Sequence, residues 1–200
     1  MTLKEFTREI QKKRKELDEL VRHRLPVVVG RMAKDHYQDN FRKGGFVNNG
    51  LQKWEPAKRL TSGSSRASAK YGTLLSSRNH LFSSIKSTPG DYGVKVSNDV
   101  PYAAAHQYGE TMQATVTDKM RRFAWAKYYE AGGGSKSGGE GVKKPDTINS
   151  DAEFWKRLAL TKKTKLSIKM PARPFIGESA ELTQKIRNKG DAEIRKILNI

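Results

Sequence analysis

The sequence predicts an α+β fold: a small antiparallel sheet packed with amphipathic helices, a long N-terminal helical arm and a flexible Gly-rich loop. Three observations carry this. Apolar residues recur at helical spacing from Leu25 to Phe41. Tyr92, Val94 and Val96, and later Leu166, Ile168 and Met170, alternate with other residues at the period of a strand. Proline, glycine and serine punctuate the stretches between. With 200 residues, of which 36% are hydrophobic, the chain can build one modest core, and two independently folding domains are not expected. The expected organisation is a helical arm over residues 1–24 and one α+β domain over 25–200, with a flexible insertion at 132–150.

Taken in order, Thr2-Leu3-Lys4-Glu5 fits a capping box and starts a helix. Leu3, Phe6, Ile10, Leu17, Leu20 and Val21 hold one stripe, broken by Lys13 and Arg14. Pro26 removes an amide and predicts a kink or a restart. Beyond it Leu25, Val28, Val29, Met32, Ala33, His36, Tyr37 and Phe41 make the better core helix. The first half, charged on most faces, is equally compatible with an arm that packs on a neighbouring subunit.

Residues 40–70 are expected to form a loop anchored by Phe46, Leu51 and Trp54, with Ser62-Gly63-Ser64-Ser65 its least constrained part. Leu74, Leu75, Leu81, Phe82 and Ile85 predict a helix of about three turns, ended by Pro89-Gly90. A strand over Tyr92 to Ser97 follows, then a short helix that Asp99 and Pro101 begin and Gly109 closes. Thr117 caps a helix through Ala131, stopped by Gly132-Gly133-Gly134. The Gly/Ser/Lys stretch after it has too little apolar content to fold alone. Asp151 opens a helix carrying Phe154, Trp155 and Leu158, and Lys165 to Met170 is a second strand of the same sheet. Pro171 to Gly177 turns into a C-terminal helix of Leu182, Ile186, Ile194, Ile197 and Leu198, weakened at Gly190.

Charge and composition bound the chemistry. Lys and Arg number 39 against 21 Asp and Glu, a net charge of +18. Residues 1–60 carry +7 of it and residues 151–200 carry +6, so it is no single tail. Such a charge suits nucleic acid or an acidic protein surface, with solubility as the plain alternative. The absence of cysteine excludes disulfides, thiolate metal sites and a cysteine nucleophile. No apolar run approaches the ~20 residues of a membrane span, and the N-terminus lacks a signal-peptide core, so a soluble cytoplasmic protein without membrane contact is expected.

The four histidines, His23, His36, His80 and His106, sit in no metal-binding spacing. His36 lies on an apolar helix face and reads as a core histidine, and His106, one turn after Tyr102, reads as a packing or hydrogen-bonding residue. Gly134-Ser135-Lys136-Ser137 lacks the glycine a phosphate loop needs before its lysine. With no nucleophile elbow and no placed carboxylate pair, neither an enzyme nor a cofactor is expected. Trp125, Tyr128, Tyr129 and Trp155, flanked by Arg121, Arg122, Lys127 and Arg157, could stack on a single strand, although such a stripe also suits a core.

Five segments occur in one order: NFRKGGFVNNGLQKWEPAK from Asn40, then GTLLSSRNHLFSSI, VPYAAAHQYGE, VTDKMRRFAWAKYY and IKMPARPFIGES. Over Asn40 to Ser179 this resembles the phage virion morphogenesis family, the tail completion proteins of tailed bacteriophages and prophages. The PYA…HQYG segment, the start of the MRRF helix and the PARPF turn are its specific parts. The family often has glycine where this chain has Asn79, which also tolerates a left-handed backbone.

The resemblance implies a small α+β domain and a non-catalytic, homo-oligomeric ring, of six copies by analogy, at the head-proximal end of the tail. Its implied partners are other neck and tail proteins, namely the tail tube or terminator and the head–tail connector, with non-specific DNA contact possible. A basic nucleic-acid-binding protein is the alternative. Trp54, Tyr102, His106, Gly109, Arg173, Pro174 and Phe175 are the candidate scaffold and interface residues. Tyr102 and His106 share one side of a short helix that Gly109 ends, and Phe175 anchors the turn in which Arg173 offers five donors to loop carbonyls or a carboxylate.

Overall fold

A computed structural model describes residues 2–60, 70–133 and 150–200. In chain order the elements are α1 (Leu3–Glu19), a wide turn (Leu20–Arg24), α2 (Leu25–Lys43), β1 (Gly45–Val47), β2 (Leu51–Lys53), a 3-10 turn (Lys58–Leu60), α3 (His80–Ser83), β3 (Ile85–Gly90), β4 (Gly93–Asn98), α4 (Ala103–Tyr108), β5 (Glu110–Thr115), α5 (Asp118–Glu130), α6 (Ser150–Ala159), β6 (Lys165–Met170) and α7 (Ala180–Leu198). The α+β class read from the sequence holds. The chain divides into two compact units, Met1–Glu110 with Pro171–Ile200, and Thr111–Met170.

In the first unit, the capping box forms: the Glu5 N–H donates to Thr2 Oγ1 at 3.3 Å and the Thr2 N–H to Glu5 Oε2 at 2.7 Å. Pro26 does not break the helix. Instead α1 runs into α2 through Leu20–Arg24, where the Leu25 N–H reaches back five residues to the Leu20 carbonyl. Widening one turn makes room for the proline ring and lets helical dihedrals continue. No residue of α1 is buried, whereas α2 buries Ala33, His36, Tyr37, Asn40 and Phe41. Lys13 Nζ donates to the Ile197 carbonyl at 2.6 Å, at the C-terminal end of α7 where a cation complements the helix dipole.

Gly44, at φ +66°, ends α2 with its N–H on the Asn40 and Phe41 carbonyls. The stretch expected to be a loop instead holds a β1–β2 hairpin, with Phe46 opposite Gln52, turning at Asn48-Asn49-Gly50. Phe41, Phe46, Trp54, Leu81, Ile85, Val100, Phe175 and Leu182 gather with Tyr37 in one core. The ring centroids of Phe41 lie 5.6 Å from Trp54 and 5.2 Å from Phe175.

Two sequence expectations need correction here. The helix expected across Leu74 to Ile85 shrinks to His80–Ser83, and Ile85 begins β3. Ser76 and Asn79 exchange side-chain hydrogen bonds with each other's N–H groups, at 3.1 and 3.2 Å, which offers the backbone an alternative to helix, and Leu74 and Asn79 are left-handed. Among the described residues the expected shared sheet does not form: Tyr92 lies in the turn, β4 pairs antiparallel with β3 from Ile85↔Asn98 to Gly90↔Gly93, and β6 pairs with β5. A two-residue turn places β3 beside β4 before any distant strand can compete. Strand β5 escaped the sequence reading because it is exposed almost throughout, and its Met112 and Ala114 are a weak alternation.

Gly30 sets how closely the β3–β4 hairpin approaches α2. A Cβ there would lie 2.9 Å from Val94 Cγ2 and 3.1 Å from Ser87 Cβ.

In the second unit, Thr117 caps α5 by accepting the Met120 N–H at 3.2 Å. The α5–α6 pair buries Ala124, Ala152 and Ala159, small residues that let two helices approach. Phe123 meets Trp155 edge to face at 5.8 Å, and Arg121 donates to the carbonyls of Ala159, the last residue of α6, and of Thr161 just beyond it. Helix α7, in the first unit, continues through Gly190 without interruption. The expected Ser62–Ser65 stretch lies outside the described residues, as does the Gly-rich insertion apart from its ends.

Candidate functional site

The Pro171–Gly177 stretch crosses the first unit without regular structure, so its polar backbone groups need side-chain partners. They find them on three elements. Trp54 Nε1, beyond β2, donates to the Pro174 carbonyl at 2.8 Å. From α2, Asn40 Nδ2 donates to the Phe175 carbonyl at 3.3 Å and Tyr37 Oη to the Gly177 carbonyl at 2.9 Å. From α4, Gln107 accepts the N–H groups of Phe175 and Ile176 at 3.0 and 3.2 Å and donates to the Ile176 carbonyl at 2.6 Å. One primary amide thereby does for this segment what a neighbouring strand does in a sheet. Asn40 has a second role, since its Oδ1 accepts the Val47 N–H at 3.2 Å and ties β1 to the turn.

Arg173 is 7% exposed. Its N–H donates to the His106 carbonyl at 2.7 Å and its Nε to the Glu55 carbonyl at 2.9 Å. Burial pushes the guanidinium's pKa down, opposed by the attraction of the Glu55 carboxylate. Arginine nevertheless keeps its charge. Among the described residues no ion pair to Arg173 is formed.

His106 meets Tyr102 edge to face, centroids 5.9 Å apart at 90°, and Tyr102 Oη stands 3.3 Å from His80 Nδ1. The Nδ1 of His106 is buried without a hydrogen-bond partner, and burial, then the charge of Arg173, lowers its pKa. His36 shows the same pattern on α2: its Nε2 is buried and unpartnered, and burial, then Lys185, lowers its pKa. Gly109 follows α4 at φ +73°, a backbone region glycine enters without strain.

The structure therefore brings Trp54, His106, Arg173, Pro174 and Phe175 together around one turn, with Tyr102 against His106 and Gly109 at the helix end. Tyr37 was legible only as core, and Asn40 and Gln107 were missed. Gln107 lies inside the HQYG segment itself, and Asn40 is a polar residue on the apolar face of α2, which are the signals available. No group of three or more His, Cys, Asp or Glu able to hold a metal occurs among the described residues.

The profile of the phage virion morphogenesis family matches residues 3–195. The chain belongs to this family. The match takes in both units and extends the resemblance read from Asn40 to Ser179 across α1 and most of α7. No curated protein and no solved structure matches the chain. Membership in the phage virion morphogenesis family gives this protein a structural or assembly role in making bacteriophage virions, and associates it with the virion. No described helix is long and apolar enough to cross a membrane.

Proposed function

We propose that the protein is a non-catalytic tail completion component, which assembles in the host cytoplasm into a ring that finishes the tail and joins it to the DNA-filled head. The observation that carries this reading is the family match across residues 3–195. Exposed apolar side chains support it: Leu3, Phe6 and Ile10 on α1, and Phe123, Phe154, Leu160 and Ile168 in the second unit. Apolar side chains that a monomer leaves in water are the material of protein interfaces. A ring reuses one patch against a different patch on the next copy, and a chain with a helix that buries none of its residues has such a patch to offer. In this reading Trp54, Tyr102, His106, Gly109, Arg173, Pro174 and Phe175 are scaffold and interface residues, and six copies match the symmetry usual for tails.

The test is a deletion in the phage that encodes it, with particles imaged by electron microscopy. Filled heads and separate tails should accumulate without a DNA-packaging defect. A protein that stays monomeric both alone and in assembled particles overturns the ring. The charge of +18 favours one other reading, a nucleic-acid-binding protein.

A further inference from the structure

A cavity of about 220 Å³ opens beside the PARPF turn, lined by Arg59, Leu74, Leu81, Tyr102, His106 and Arg173 among others. We infer that it receives the carboxylate of one aspartate or glutamate, carried by an acidic segment of a partner protein other than a second copy of this chain. Cofactors and drug-sized ligands need pockets of roughly 300–1,000 Å³, so this volume suits a single side chain.

The chemistry of the lining selects the group. Arg173 is more than nine-tenths buried and, among the described residues, its side chain hydrogen-bonds through Nε alone, to the Glu55 carbonyl, and forms no ion pair, so a buried cation faces the cavity. A carboxylate meets a guanidinium in a planar, two-point match and removes the cost of leaving that charge unpaired. His106 Nδ1, buried and unpartnered, supplies a further donor in its Nδ1–H tautomer. Arg59, held by the carbonyls of Tyr71, Gly72 and Leu75, adds fixed positive charge, and Leu74 and Leu81 offer apolar wall to the methylene groups of the incoming side chain.

Charge decides the source. Lys and Arg outnumber Asp and Glu by 39 to 21 in this chain, so a second copy is poor in acidic segments to offer, whereas an acidic protein is drawn in by the +18 charge. A phosphate on a DNA duplex is fixed to a bulky backbone and cannot follow a cation this deeply buried. The inference rests on the reading of this region as an interface, and the two can fail separately.

The experiment titrates the ¹⁵N-labelled full chain with N-acetyl-glutamate amide, N-acetyl-glutamine amide and inorganic phosphate, following the side-chain nitrogens of His106 and Arg173. The capped glutamate should shift both saturably, with capped glutamine and phosphate at least about tenfold weaker, the discrimination expected when the charged, two-point match is lost. Silence with glutamate, or equal binding of glutamine or phosphate, overturns the inference. Ala57 lines the same cavity and lies outside the core, so Ala57→Leu blocks entry without touching Arg173. Ala57→Leu should abolish the shifts while the amide spectrum stays folded, and full binding by this variant overturns the inference. A photo-crosslinking residue at position 57, in assembled particles, should label an Asp- or Glu-containing segment of another virion protein. A crosslink to DNA or to a second copy overturns the partner assignment. Absence of the protein from particles would sink the virion reading, while the titration would still decide whether the cavity takes a carboxylate.

Discussion

The backbone N–H of Tyr92 donates to the carbonyl of Arg22 at 3.1 Å. In a regular helix that carbonyl is served by the N–H four residues on, but position 26 is proline and has none. The hairpin tip supplies the missing donor. Around the same point Arg22 Nη2 and Nε donate to Asp91 Oδ2 at 2.6 and 2.9 Å, the Arg22 guanidinium lies over the Tyr92 ring, and Tyr92 Oη donates to Asp18 at 2.8 Å. Tyr92 is left-handed at φ +59°, so the contact holds a turn that tyrosine does not favour.

Pro26→Ala returns an N–H to the helix, which can then compete for the Arg22 carbonyl. The Tyr92 amide should lose hydrogen-exchange protection by about tenfold or more, while the solvent-screened salt bridge from Arg22 to Asp91 does little to hold the turn in its place. Unchanged protection at Tyr92 would show that the proline is not what frees the carbonyl.

The packing at Gly30 separates two opposing effects. Alanine gains about 1 kcal/mol of helix propensity over glycine but brings its Cβ to 2.9 Å from Val94, so Gly30→Ala should stay within about 1 kcal/mol of the parent. Leucine adds atoms the hairpin cannot accommodate, and Gly30→Leu should lose about 3 kcal/mol in urea denaturation. A neutral leucine variant would mean that the hairpin yields freely.

Asn40 is fully buried and serves two backbone groups at once. Asn40→Ala leaves the Phe175 carbonyl and the Val47 N–H unpaired, at about 1–3 kcal/mol each, so a loss of about 2–4 kcal/mol is expected. Asn40→Asp can still accept from Val47 but can donate to Phe175 only when protonated. Its stability relative to the parent should therefore improve as pH falls, and a flat difference across pH would place the side chain elsewhere.

Why these polar residues escaped the sequence reading has a physical reason. Helical periodicity finds α2 and its core stripe because burial repeats every turn, and Thr2, Thr117, Gly109 and the proline-rich turn are legible because capping and turn chemistry are local. Asn40 and Gln107 act across 135 and 68 residues of sequence separation, and nothing local marks a polar side chain as the partner of a distant backbone. The same limit misplaced the strands. Tyr92 to Ser97 and Lys165 to Met170 are visible as strands, but of their true partners β3 carries Pro89 and reads as a helix end, and β5 lies exposed and gives no strand signal.

Acid should weaken the fold in two steps. His36 and His106 have folded pKa values below the unfolded value of about 6.5, so the unfolded chain binds more protons and stability falls as pH drops from about 6.5 through the folded values. The carboxylates of Glu181 and Glu193 are also depressed, Glu193 to about 2 by hydrogen bonds from Lys189 and Lys196, then by their charges. Their contribution is present above the unfolded carboxylate pKa and is lost as pH falls below it, discounted for their exposure. His36→Gln should flatten the first step and leave the second, as read from urea midpoints against pH. An unaltered first step would show that His36 is not among the groups responsible.

Salt distinguishes the assembly reading from the nucleic-acid reading. Binding through phosphates releases counterions, so affinity falls steeply as salt rises, whereas contacts among groups such as Phe6, Ile10, Phe123 and Phe154 lose little by screening. At +18 the protein will bind DNA at low salt whatever its role, so a gel shift there decides nothing. The informative measurement is the mass of the complex and the DNA it retains as salt is raised past the physiological range. The expected outcome is an oligomer that persists after DNA has been lost. Nanomolar binding to a defined DNA or RNA at physiological salt, with infectious particles forming normally in the protein's absence, would overturn the assembly reading.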